Sequence, residues 1–327
     1  MSRLKKKPIL LFIIILIVLY AIIYIVPRVN GALVPSYIAE YGELKISDET
    51  TAYFVRNEKV YVARATGETN YFFKQGSLIR KDSKVMQVKA QVSEDAEPSR
   101  AYADIMSRLG DNVVRKKYYK TKDVGVVSYA VDGYERLVTP KTMKKADYSF
   151  FKKLSQDDVT DLKRDRVVKN EPVFKIVDRT KWYMVCFVDA DHIDRYEKGS
   201  RVRVEFEDDY VDTTVHSAKA DGNQAKIILQ TDYYYDQFAE TRVADVSLVT
   251  YQENGLIVEN GSITEEKGQT GVYVKSKSDD FFFVPVKVYA TDGEKSLIAD
   301  DFYYDMDKDG EMVITVEVYD EILKKVE

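Results

Sequence analysis

The chain has 327 residues, enough for two or three modest domains, and its 45% hydrophobic and 31% charged content excludes disorder as the default. Its 49 basic residues less four in the N-terminal tail leave 45 against 54 acidic ones, and a net charge of −9 on the remainder repels nucleic acid. A single cysteine excludes an internal disulfide. In chain order, Arg3, Lys5, Lys6 and Lys7 come first. The run Ile9 to Val26 follows without a charge or a glycine, roughly 27 Å of helix at about 1.5 Å per residue. No small-residue cleavage site follows, only ValProArg at 26–28, and no cysteine is placed for lipidation. This predicts an uncleaved signal anchor and transmembrane helix. Four basic residues before the span and only Arg28 close behind it place residues 28–327 outside the cytoplasm, on a single-pass protein of the cell membrane.

Beyond the anchor the chain reads as short strands between turns. FKQGSLIRKDSKVMQV at 73–88 is a strand, a glycine turn, a polar run and a second strand. Val202, Val204 and Phe206 alternate with Arg201, Arg203 and Glu205, and Met312, Ile314, Val316 and Val318 alternate with Val313, Thr315, Glu317 and Tyr319, which predicts half-buried strands. AspGly and AsnGly pairs at 132, 221, 254, 260, 292 and 309 mark hairpin-like intervals. Helical pattern is confined to about 97–120, where Ala101, Ile105 and Leu109 share a face and Gly110 ends it, to about 147–165, and to 189–199. Cys186, in an alternating strand, reads as a core thiol.

The pattern of residues 73–88 resumes in DVGVVSYAVDGYE at 123–135 and VVKNEPVFKIVD at 167–178, so that the earlier and the later stretches read as the two halves of a lipoyl-like sandwich, with Gly67, Gly76 and Gly133 as turn glycines. WYMVCFVDADHIDRYEKGSRVRVEF at 182–206 has a strand, a short helix, a glycine and a V-x-V strand; LIVENGSI at 256–263, GVYVKSKSDDFFFVPVKVY at 271–289 and DMDKDGEMVITV at 305–316 follow. This order resembles the periplasmic adaptor, or membrane fusion protein, family of HlyD type, in the short-hairpin variant of single-membrane bacteria. The resemblance implies a mainly β chain with a transmembrane helix. Its parts are the anchor at 1–28, a linker and first strand at 29–50, lipoyl-like halves at 51–90 and 122–178 of a barrel-sandwich hybrid, a short α-helical hairpin at 91–121, a β-barrel at 179–252 and a membrane-proximal β domain at 253–327. Two arms of about a dozen residues reach only about 20 Å. It further implies a non-enzymatic subunit of an efflux or secretion transporter, homo-oligomeric, partnered by an ABC or RND-like permease, with Ala101, Ile105 and Leu109 as candidate partner contacts and no cofactor. The competing reading is an anchored cell-wall-binding or envelope-assembly protein, for which the sequence offers no cleft of paired carboxylates.

Chemistry finds little support. Asp305, Asp307, Asp309 and Gly310 match the first half of an EF-hand loop, but its twelfth position is Val316, where a bidentate glutamate is needed. The stretch reads as an acidic hairpin turn, with the three aspartates as weak metal candidates. Glu205, Glu207, Asp208 and Asp209 read as a solvated loop. His192 and His216 lack partners at metal-ligand spacing, and nothing matches a nucleophile elbow, a P-loop or a dinucleotide fingerprint. Lys116, Lys117, Lys120 and Lys122 lack the context of a lipoyl carrier.

Overall fold

Alternating strands with few helices make up the chain in a computed structural model that describes residues 7–20, 34–90, 97–116, 119–206, 209–233, 235–306 and 310–325. It forms two units, residues 47–250 and residues 1–46 with 251–327.

In the 47–250 unit, six strands, two of which run on beyond its bounds, close into a barrel. Arg201–Glu205, Tyr210–Asp221, Gln224–Thr231, Trp182–Asp189, Glu40–Val55 and Val243–Glu259 are hydrogen-bonded in that order, and the last returns to the first through Arg203↔Val249. Closure leaves no edge to protect. Val202 and Val204 point into the core with Met184, Ile227, Leu229 and Leu248, whereas Arg201 is exposed, as the pleat requires. Cys186 is in the same core, and burial pushes its thiol pKa up, which keeps it a neutral apolar filler.

The barrel-sandwich hybrid is built by direct pairing of distant halves. Pro172–Val177 pairs antiparallel with both Glu58–Val62 and Gly125–Ser128, so one five-stranded sheet draws on both. A second sheet sets Gly67–Tyr71 between Arg166–Val167 and Met86–Ala90. Val60, Ile79, Met86, Val127 and Ile176 form its core, with the Tyr61 and Phe174 rings stacked 4.5 Å apart. Burial of each such side chain contributes about 1.5–3 kcal/mol.

Three expectations are corrected here. The first half begins at Glu58, not at residue 51, because Tyr53, Phe54 and Val55 pair with Val185, Met184 and Tyr183 in the barrel. Of the helical hairpin expected over 91–121, the described residues form one helix, Arg100–Leu109. Gly110 ends it at φ +56°, and Val113–Val114 then pairs in parallel with Glu58–Val62. The β-branched valines prefer a pleated surface, and the sheet edge beside Val60 offers one. The stripe at 147–165 yields only Tyr148–Phe151, capped by Asp147, and one 3-10 turn, Gln156–Asp158.

In the other unit, Ser36–Ile38 pairs with Glu321–Leu323, which joins Gln269–Lys275 and, through it, Thr264–Glu266 and Phe281–Pro285. Leu256, Val258, Val272, Val274, Ile298 and Ile322 form its core. The expected span Ile9–Val26 begins within the helix Lys7–Tyr20 and continues into residues outside the description. Among the described residues no helix is long and apolar enough to cross a membrane.

Candidate functional site

Where the barrel strands end and the sandwich begins, six ionisable side chains lie out of water. Arg56 follows Val55, Arg242 precedes Val243, Glu58 and Lys175 come from sandwich strands, and Asp132 and Glu135 from the turn after Ala130–Val131. Their relative exposures run from 0% to 7%. Glu58 is the hub: Oε1 accepts from Lys175 Nζ at 2.7 Å and Arg56 Nε at 3.0 Å, and Oε2 from Arg242 at 2.6 Å. Arg242 also holds Asp132, and donates to the Phe54 carbonyl at 2.9 Å. Arg56 donates to the Thr241 carbonyl at 2.6 Å.

Burial alone would raise the Glu58 carboxyl, but the charges of Arg242, Arg56 and Lys175 outweigh it and hold its pKa well below the usual carboxylate range. Asp132 is likewise lowered: burial opposes, and Arg242 and Lys175 prevail. For Arg242, burial is overcome by Asp132 and Glu58, and its pKa is raised. Glu135 goes the other way, pushed up to about 7 by burial and by Asp132. Taking ions out of water costs several kcal/mol each unless every one is matched, so the cluster is a positional lock, strong only in the arrangement that pairs all its members.

Residues 136–166 reinforce the lock. Val138, Met143, Phe151 and Leu154 cover Tyr53, Val55, Val185, Phe187 and Ile228 on the outer face of the barrel. Lys226 donates to the carbonyls of Met143 and Ala146, and its Nζ lies 5.4 Å from the centroid of the Phe151 ring. Gln156 Oε1 accepts from the Arg242 and Val243 amides at 2.7 and 3.2 Å. Sandwich and barrel are thus joined by ions, by an apolar patch and by a side-chain cap.

A second feature belongs to the other unit. Phe302–Asp305 and Glu311–Ile314 form a hairpin with Phe302↔Ile314 and Tyr304↔Met312 opposite each other. These four side chains share one face, and with Met306 are 48% to 77% exposed. Asp300, Asp301, Asp305 and Glu311 are its acidic neighbours in sequence.

Two family models match the chain: RND-related, barrel-sandwich hybrid domain over residues 58–178, and RND-related, beta-barrel domain over residues 182–252. The chain belongs to the membrane fusion protein, or adaptor, family. Adaptors of this fold serve efflux systems and are not enzymes. Among solved structures, MacA from Actinobacillus actinomycetemcomitans is 9% identical at a TM-score of 0.38, covering 89% of this adaptor and 100% of that chain. ZneB from Cupriavidus metallidurans is 10% identical at 0.28, covering 89% and 92%. The membrane fusion protein Spr0693 from Streptococcus pneumoniae R6 is 9% identical at 0.25, covering 63% and 98%. At these values the family models alone decide the assignment. No curated protein matches the adaptor.

The adaptor's anticipated site residues fall in several places. Gly76 and Gly133 take φ of +78° and +82° in turns, whereas Gly67 begins a strand, where a Cβ would collide with the Lys89 carbonyl. Ala101 is exposed, but Ile105 and Leu109 are withdrawn as partner contacts, because both are buried in the sandwich core. Asp305 ends a hairpin strand and accepts from the Gly310 amide at 2.9 Å; Asp307 and Asp309 lie outside the described residues. No metal-holding group of His, Cys, Asp and Glu is present among the described residues. His192 instead meets Asp48 at 2.5 Å, with Tyr196 donating to the same carboxylate at 2.6 Å, a clasp of the 3-10 turn Ala190–Arg195 onto strand Glu40–Val55. Sequence reasoning missed both the ionic joint and the bare hairpin face. One signal was available: Lys175 interrupts an otherwise apolar strand.

Proposed function

We propose that this adaptor works outside the cytoplasm of a single-membrane envelope, tethered by the apolar segment 9–26, and docks on the outer face of an ABC or RND-like permease as one of several like copies. Its action is geometric, extending or gating the permease path without chemistry of its own. The observation that carries the reading is the exposed hairpin face of Phe302, Tyr304, Met306, Met312 and Ile314. Large apolar side chains gathered on one exposed strand pair mark an interaction surface. The flanking carboxylates favour a partner with a basic rim over an anionic lipid surface.

The short helix supports the single-membrane reading. Arg100–Leu109 is about 15 Å long at 1.5 Å per residue, and its buried residues Ile105 and Leu109 dock it on the sandwich. It supplies no long projection across a second envelope layer.

The test is photocrosslinking in intact cells from positions 304, 312 and 314, with position 201 on the barrel exterior as control. Capture of an integral membrane permease from the hairpin and not from the control supports docking. Capture of peptidoglycan, or equal yields from both, overturns it.

A further inference from the structure

Glu135 is the one member of the ionic joint whose carboxylate is half-satisfied. Its Oε1 accepts from Lys175 Nζ at 3.3 Å and from the Asp132 amide at 3.2 Å, both long contacts. Its Oε2 is buried and has no hydrogen-bond partner among the described residues. A bare carboxylate oxygen in a dry place is costly; a carboxylic acid there is far less so. Glu135 also lines a cleft of about 540 Å³, with Glu58, Lys59, Asp123, Lys141 and Asp178 as the other ionisable groups of its wall. The cleft opens the joint to protons.

The charges around Glu135 come from every element packed on it. Asp132 is on its own turn; Glu58 and Lys59 belong to Glu58–Val62, and Lys175 to Pro172–Val177, with Asp178 just beyond. Arg56 and Arg242 close the barrel side, and Asp123 and Lys141 stand at the cleft. With Glu135 ionised, Arg56, Lys175 and Arg242 balance Glu58, Asp132 and Glu135. Yet the last has no donor for half of its carboxylate, because Glu58 and Asp132 hold the guanidinium groups.

We propose that Glu135 is a proton-binding site that sets how firmly sandwich and barrel are joined. Protonated, it is a neutral plug and the joint is tight. Ionised, it draws a donor to Oε2, with Lys141 the cleft cation placed to supply one, and the turn at 132–141 loosens. Burial and the neighbouring Asp132 raise its pKa to about 7, which sets the switch near neutrality. The carboxyl is raised above its ordinary value of 4.5, so its stabilising contribution is full only below that value, declines as pH rises above it and is gone once pH has passed about 7.

The test uses the full chain in detergent. Infrared difference spectra between about pH 5.5 and about pH 8.5 follow the protonated carboxyl band while thermal melting is recorded across the same window. Wild type should lose one buried carboxyl band near neutrality and melt lower as pH rises to about 7, with this group's contribution to the slope vanishing above that. Glu135→Gln, which mimics the protonated acid, should lack the band and show a flatter melting profile. Lys141→Met, at an exposed position, should keep the band and move its midpoint upward. A wild-type band that persists at the alkaline end, or a Glu135→Gln profile with the wild-type slope, overturns the proposal. So does a band midpoint that Lys141→Met leaves in place.

Discussion

At Glu58 six ionisable side chains are kept out of water, and on the hairpin around Ile314 five large apolar ones are left in it. The first place finds nearly all its partners inside the chain, and the second leaves its apolar face largely uncovered among the described residues. A buried charge cluster that pairs internally fixes geometry, because only one arrangement satisfies it. A bare apolar strand face of this kind suits an interaction surface, as the proposed docking requires. Under the proposed docking, the joint holds this adaptor's shape and the hairpin face is what it offers to a partner.

The strongest way to break that contrast is Glu58→Ala, which strands Arg56, Lys175 and Arg242 without their shared anion. Denaturant unfolding should show a loss of about 3–5 kcal/mol, and a loss below about 1 kcal/mol would mean the joint is not a lock. Next comes Phe151→Ala, which opens the patch over Tyr53 and Phe187 and should cost about 3 kcal/mol, read by the same unfolding curve. Leu109→Ala sharpens the contrast from the opposite direction. As a core residue it should lower stability by about 2–4 kcal/mol and leave permease capture by the surviving folded fraction unchanged. Ile314→Ser should move stability by no more than about 0.5 kcal/mol while reducing permease capture from intact cells. The smallest effect is that of calcium, which should leave the melting temperature unchanged, since Val316 at the twelfth loop position is a buried apolar residue.

Much of the fold was legible because β structure repeats every two residues. Val202 and Val204 read as inward, and they are; the two sandwich halves were found from a glycine-turn pattern that recurs on either side of the helix. The same alternation misled at Met312 and Ile314. It says that two faces of a strand differ, not that the apolar one is covered, and here it is the apolar face that meets solvent. The helix at 97–120 was found from its period and its glycine stop, but its second arm became a strand, because tertiary pairing with Val60 decided the state of Val113 and Val114. Of the ionic joint only Lys175, a lysine inside an apolar strand, left a trace in the sequence: Glu58, Asp132 and Arg242 are scattered over most of the unit, and only the fold gathers them.

Ser36–Ile38 lies in a sheet whose next strand, Glu321–Leu323, is the last in chain order among the described residues. The ribosome therefore delivers every residue of the inserted 47–250 unit before it delivers the ladder partner of that early strand. Until then the early strand presents unmet amides, a handle for chaperones and proteases in the cell. A product cut short before residue 321 therefore lacks the ladder partner of Ser36–Ile38 even with its barrel and sandwich fully formed.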